Sequence, residues 1–185
     1  MIVRPATEAD APALAAIYGD AVLNGFGTFE EVAPSAADMD GRRRAVQDMG
    51  LPYLVCEEDG PEGPRVLGFA YAGPFRPRAA YRYTLEDSVY VAPEAKGKGV
   101  GRTVLSAVIA ACEALGVRQL MAVIGDSENS GSSGRHRSLG FEQTGVGRSV
   151  GFKHGRWVDI VHMQKALNGG DSLQPSGPGI RLTGH

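Results

Sequence analysis

The sequence predicts an α/β (α+β) fold, a mixed and mostly antiparallel sheet flanked by helices, and three observations carry that expectation. A β-branched strand over 86–91 runs into a glycine-rich loop, then an amphipathic helix over 100–115, then a continuous apolar strand over 119–124. Strand, crossover helix and strand make a right-handed βαβ unit, so these two strands should be parallel neighbours buried on both faces. Apolar runs on either side of Glu58-Asp-Gly-Pro-Glu-Gly-Pro64 and of His154-Gly-Arg-Trp157 read as two antiparallel hairpins. Helical periodicity fills the chain before the first hairpin: Leu14, Ile17, Tyr18, Ala21 and Val22 make one apolar face.

Composition bounds the class of molecule. With 185 residues and 43% hydrophobic content the chain can bury one good core, and a single domain over 1–167 is the simplest organisation. A net charge of −2 gives no global field toward nucleic acid or anionic membrane, so neither is expected as a partner. No apolar run reaches membrane-spanning length and the N-terminus lacks a basic, hydrophobic leader, so a cytoplasmic location is expected. Cys56 and Cys112 fit neither a disulfide framework nor a zinc site; both read as small buried hydrophobes, and no metal is expected.

In chain order, Ile2-Val-Arg4 is a short strand. Thr7 caps a helix in which Glu8 and Asp10 suit the positive end and Pro12 is tolerated in the first turn. The loop around Phe26 and Phe29 is apolar for a connection, and reads either as a wall of a substrate pocket or as a loop pinned to the core. Ser35 caps a second helix to about Met49. Its Arg42, Arg43 and Arg44 point about 100° apart and are expected on a solvated face. The first hairpin pairs 52–57 with 66–73. Between Gly73 and Glu86 the chain is basic and aromatic, which suits either a grip on a small amino acid through arginine forks or a surface hairpin with cation–π pairs. After the strand at 119–124, Asn129 begins a short segment ending at Phe141; Gly131 and Gly134 make it a weak helix, expected to order fully only with cofactor bound. The second hairpin closes the domain, and the Gly-, Pro- and Ser-rich stretch 168–185 is expected to be disordered.

The loop at the centre of the βαβ unit carries the chemistry. Gly97, Gly99 and Gly101 let the backbone fold closely round an oxyanion, the following helix aims unpaired N–H groups at it, and Lys96, Lys98 and Arg102 add full charges. This is a diphosphate cradle in outline. It is not a P-loop, because no Gly-Lys is followed by Ser or Thr in that frame, and the G-x-G-x-G spacing late in the chain is not a dinucleotide fingerprint.

Lys96-Gly-Lys-Gly-Val-Gly101 resembles the [RQ]-x-x-G-x-[GA] acetyl-CoA loop of the GCN5-related N-acetyltransferases, with Lys96 where Arg or Gln usually stands. His136-Arg-Ser-Leu-Gly-Phe141 resembles that family's [YH]-x-x-L-G-F close; the chain departs from the pattern at Gly131, Gly134 and Arg135, the last replacing an apolar residue. Ala70-Tyr-Ala-Gly-Pro74, Arg78, Tyr81, Thr84-x-Glu86, Ser88-Val-Tyr-Val91 and Gly151-Phe-Lys-His-Gly-x-Trp157 together look like the phosphinothricin or methionine sulfone (sulfoximine) N-acetyltransferase branch. The resemblance covers roughly residues 2–165. It implies a sheet whose central parallel strands splay apart to take the pantetheine arm, acetyl-CoA held by Val89, Tyr90, Val91, the loop from Lys96 to Arg102 and Asn129, a homodimer, and acetyl transfer to the α-amino group of a small amino-acid analogue, with herbicide or antibiotic resistance as its consequence.

Such a transfer needs a base near the attacking amine, and Glu86 is the matching residue; a carboxylate of reference pKa about 4.3 serves only if burial raises it. Alternatively, Glu86 is a pairing partner for Arg82 or Arg78. His136 stands where many relatives carry the acid that protonates the departing thiolate, or it is a satisfied surface histidine. A backbone N–H near Tyr90 or Val91, at a bulge in the strand, is expected to polarise the thioester carbonyl. Arg78, Tyr81 and Thr84 are the candidates for holding the substrate's carboxylate and tetrahedral oxygens, with Phe29 lining its methyl side. Two other readings stay open: an acetyltransferase for a polyamine, an aminoglycoside or a protein N-terminus, and a catalytically silent acyl-CoA sensor.

Overall fold

A computed structural model describes residues 1–61 and 63–182. Its elements are β1 (Ile2–Pro5), α1 (Ala11–Asn24), α2 (Ala36–Asp48), β2 (Tyr53–Gly60), β3 (Gly63–Pro74), β4 (Thr84–Val91), α3 (Val100–Ala114), β5 (Gln119–Gly125), α4 (Ser130–Ser138), β6 (Glu142–Lys153) and β7 (Arg156–Ala166). Seven strands form one sheet in the order β1-β2-β3-β4-β5-β7-β6, with every pairing antiparallel except β4–β5. The two hairpins and the βαβ unit expected from the sequence are all present.

Pleating sorts the side chains to two layers. Tyr53, Phe69 and Tyr71 stack along one face, where Phe69 also meets Tyr90 and Tyr18 of α1 packs edge-on to that ring. On the other face Val91 and Gly68 lie against the N-terminal turn of α3, and a Cβ at Gly68 would meet both the Tyr90 carbonyl and Val100. The inward stripe of α3, with Val104, Leu105, Val108 and Cys112, is fully buried. Both cysteines are free and buried, and burial pushes the Cys112 thiol up to about 12.

Local signals set the helix starts. Ser35 Oγ accepts from Asp38 N–H at 3.1 Å while the Asp38 carboxylate accepts from Ser35 N–H, a reciprocal box that begins α2. Ahead of α1, the turn Glu8–Asp10 is held by Thr7 N–H donating to Asp10 Oδ2, and that carboxylate is clamped by Arg4. No helix among the described residues is long and apolar enough to cross a membrane.

Two expectations need correction here. The arginines of α2 do not all share a solvated face: Arg43 is buried on Asp40 and Gln47, whereas Arg42 and Arg44 are exposed, Arg42 forking onto Glu30 and lying over Tyr18. Nor does disorder describe the tail through 182. Asn168 Nδ2 donates to the carbonyls of Glu113 and Val117, Arg118 donates to those of Gly170 and Leu173, Tyr83 Oη donates to Gly177 O, and Ile180 N–H donates to Arg82 O. Composition gave no sign of this, because the contacts are made by backbone carbonyls that every residue carries. Residues 183–185 lie outside the described residues.

Candidate active site

β4 and β5 pair only from Thr84/Gln119 to Asp87/Ala122. Beyond that point β4 stays registered with β3 as far as Val91, and β5 stays registered with β7 as far as Gly125, so the two strands separate. The gap opens into a cavity of about 830 Å³. Ala92 N–H donates to Leu67 O, and in an antiparallel ladder alternate residues turn both backbone groups to the same neighbour. Ser88 and Tyr90 therefore spend theirs on β3, whereas Val89 and Val91 aim theirs into the gap. Register between β3 and β4 is unbroken, so the bulge expected at Tyr90–Val91 is absent; parted strands, not a bulge, free a donor at Val91.

The glycine loop sits at the mouth. Gly97 and Gly99 have φ of 79° and 83°, which only glycine adopts without strain, and Gly99 is the N-cap of α3. The first N–H bonded back into the helix is that of Thr103, to Gly99 O; among the described residues no backbone carbonyl accepts from the N–H groups of Gly97, Gly99, Val100, Gly101 or Arg102. Five donors and the positive end of a 15-residue helix thus face the opening. Lys96, Gly97, Gly99, Val100, Gly101 and Arg102 line the cavity, together with Val89, Tyr90, Val91 and Asn129; Lys98 is exposed outside it. Asn129 caps α4 by accepting from Ser132 N–H. Among the described residues no group of three or more His, Cys, Asp or Glu is placed to hold a metal ion.

Glu86 and Asp87 mark the crotch where the strands part, on opposite faces of β4. Glu86 lines the cavity half-buried, without a hydrogen-bonded partner among the described residues; burial pushes its pKa above the usual carboxylate range, and Arg76 only partly offsets this. It is not paired with Arg78 or Arg82.

His136 corrects an expectation. It is 3% exposed, its Nδ1 is 2.8 Å from the Ser132 carbonyl and its Nε2 is 3.0 Å from Asp87 Oδ2. A carbonyl only accepts, so Nδ1 carries a hydrogen, and a second hydrogen is shared between Nε2 and the carboxylate. Both ring nitrogens are committed within the chain. His136 is not a surface histidine: it lines the cavity, and its two ring contacts tie α4 to β4. Asp87, which the sequence reading passed over, is the other half of that tie, and its Oδ1 has no partner among the described residues. Only the spacing of Asp87 next to Glu86 hinted at it.

The apolar loop after α1 forms the opposite rim. Phe26 and Phe29 both line the cavity, and Lys153 holds the loop: 2% exposed, it donates from Nζ to the carbonyls of Gly25 at 2.9 Å and Thr28 at 2.8 Å. Burial lowers the Lys153 pKa from its ordinary value. Gly151 leaves room for the Phe29 ring, and Gly125 leaves room for the Phe26 carbonyl. Arg78 and Tyr81, by contrast, are exposed on the far side of the 75–83 turn, where Tyr81 packs on Phe75 and Arg76 lies over Phe75; Thr84 is at the paired end of β4. None of these three lines the cavity, so a single chain does not build the grip expected of them.

Comparison with known proteins gives this geometry its family. Residues 21–141 match the model of the acetyltransferase (GNAT) family. The chain is 54% identical over 173 residues to a phosphinothricin N-acetyltransferase of Alcaligenes faecalis, covering 94% of this chain and 86% of that one. It is 40% identical over 166 residues to an L-methionine sulfoximine/L-methionine sulfone acetyltransferase of Pseudomonas paraeruginosa, covering 90% and 94%. Among solved structures, a GNAT phosphinothricin acetyltransferase of Sinorhizobium meliloti in complex with acetyl-CoA superposes with a TM-score of 0.91 at 44% identity, covering 98% of this chain and 96% of that one.

Replacing His136 by Ala should leave the Asp87 carboxylate buried without its partner and cost about 3–5 kcal/mol of stability, read as a lower urea midpoint. A kcat loss on the order of 10²–10⁴ at unchanged stability would instead return the acid role to His136. With a split parallel pair, a glycine cradle at its mouth and relatives matched over nearly their whole length, the chain belongs to the GNAT family of acetyl-CoA-dependent N-acetyltransferases.

Proposed function

We propose that the enzyme moves the acetyl group of acetyl-CoA to the α-amino group of a small amino-acid analogue with a tetrahedral phosphorus or sulfur centre, of the phosphinothricin, methionine sulfone or methionine sulfoximine type, with Glu86 as the base. The observation that carries the mechanism is the position of Glu86: a half-buried carboxylate with a raised pKa, lining the cavity at the point where β4 and β5 part. An ammonium cannot attack a thioester, and a carboxylate whose pKa has moved toward neutrality takes its proton better than an ordinary one. The N–H of Val91 is aimed where the thioester carbonyl would gather negative charge, a donor fixed before the reaction begins. The names of relatives at 54% and 40% identity support the substrate class.

The cradle from Lys96 to Arg102 takes the cofactor's diphosphate, and Phe29 forms the apolar wall beside the substrate. The enzyme acts in the cytoplasm, where acetyl-CoA is made and used, and acetylating a toxic glutamate analogue there confers resistance to it.

The working form is a homodimer. Supporting this, the hairpin of β6 and β7 exposes Val150, Phe152 and Trp157, the last at 63%, at the end of the sheet that bears its outermost strand. Apolar side chains gathered this way are usually covered by a partner.

Four outcomes test the reading. Glu86→Gln should lower kcat by about 10²–10⁴-fold and remove the limb of the pH–rate profile that rises as the carboxyl ionises. The sign for stability is opposite: a carboxyl with a raised folded pKa binds its proton more tightly in the folded state, so its contribution is lost as pH rises through that pKa. The Gln variant should accordingly match the wild type in acid and unfold at a higher temperature near pH 8. Full turnover by Glu86→Gln removes the base assignment. In an assay of free CoA thiol, methionine sulfone and phosphinothricin should react much faster than glutamate; comparable rates overturn the substrate class. Sedimentation should give twice the chain mass, and Trp157→Glu should shift it toward the monomer; a wild-type monomer at micromolar concentration overturns the dimer.

A further inference from the structure

Arg135 lines the cavity from α4, and among the described residues its guanidinium makes no hydrogen bond or ion pair. Its guanidinium lies over the first turn of α3: Nε is 2.7 Å and Cζ 2.8 Å from the point where a Cβ on Gly101 would stand, beside Val91. Among the described residues the one hydrogen bond at Arg135 outside the helix ladder is accepted by its own backbone carbonyl, from Ser138 Oγ. Asp87 acts on it only at a distance, its carboxylate being engaged by His136. The surroundings are otherwise of the same sign. Beneath Arg135 is the positive end of α3, with the free N–H groups of Val100, Gly101 and Arg102, and Lys96 and the Arg102 side chain line the same mouth. Burial lowers the Arg135 pKa, and the more distant Asp87 offsets this only in part.

An apolar side chain would fill this place without that penalty. A guanidinium held against free backbone donors and other cations is stabilised by an anion that arrives between them. We infer that Arg135 is a second, helix-borne ligand for the diphosphate of CoA, closing over it from α4 while the glycine loop holds it from below. The inference rests on the reading that the loop is the diphosphate cradle. Arginine's planar fork suits two phosphoryl oxygens at once, and its position on α4 would draw that weakly helical segment down when the cofactor binds. Gly101 is then required twice, for the cofactor's approach and for the guanidinium that lies over it.

The test is equilibrium binding by calorimetry on the full chain, without turnover, using CoA and pantetheine, which lacks the diphosphate. Wild type should bind CoA far more tightly than pantetheine. Arg135→Met, which keeps the packed stem, should weaken CoA by roughly 10- to 100-fold and leave pantetheine unchanged. Arg135→Lys should recover part of the loss, and CoA binding by the Met variant should depend less on salt. If wild type fails to distinguish CoA from pantetheine, the cradle reading fails and the inference falls with it. If wild type distinguishes them and Arg135→Met binds CoA as tightly as wild type, the inference alone is overturned. Equal weakening of both ligands also overturns it, and assigns Arg135 to supporting Asp87 and α4. The Lys variant keeps each comparison valid should the Met variant unfold.

Discussion

The parting of β4 from β5 after Asp87 and Ala122 is the constraint on which the rest of the structure depends. Each strand has a committed neighbour on its outer side: β3 follows β4 to Val91, and β7 follows β5 to Gly125. A twisted sheet cannot satisfy both outer ladders and keep the inner one closed once the two halves diverge. The unmade inner ladder is where the cavity lies. It leaves Val89 and Val91 with backbone groups directed into open space, at the end of the strand that feeds the glycine loop.

Holding such a gap open requires supports on both rims. On one side α4 is fixed by the Asn129 cap, by buried Ser133 and by the His136–Asp87 contact, which reaches from helix to strand through the interior. On the other, the loop from Gly25 to Phe29 is hung on the ammonium of Lys153, a residue from the distant β6, and steadied by Tyr18 and Arg42 through Thr28 and Glu30. Buried polar groups of this kind add little net stability, but they specify one arrangement because any other leaves them unpaired. In this protein they specify the shape of an opening.

The two acidic neighbours at the crotch show how finely that specification works. Glu86 and Asp87 are adjacent in sequence and project from opposite faces of one strand. Asp87 falls on the α3 side and meets His136; Glu86 falls on the other, meets no hydrogen-bonded partner among the described residues and keeps a raised pKa. One residue of register exchanges their surroundings.

Local chemistry made much of the molecule legible in the sequence. The βαβ unit and both hairpins follow from periodicity and turn residues, the start of α2 from the Ser35 cap, and the cradle from three glycines at the start of a helix, because each signal is contained in a few consecutive residues whose backbone preferences are intrinsic. What lay beyond it was decided by partners far away in the chain. Gly131 and Gly134 argue against the helix that α4 forms; Arg43 looks like its exposed neighbour Arg44 yet is buried on Asp40; nothing beside Lys153 in the chain marks it as a buried brace; and nothing beside His136 names Asp87 as its partner. A side chain's charge is written in the sequence, whereas its desolvation and its partner are properties of the space it ends up in, and only the folded chain sets those.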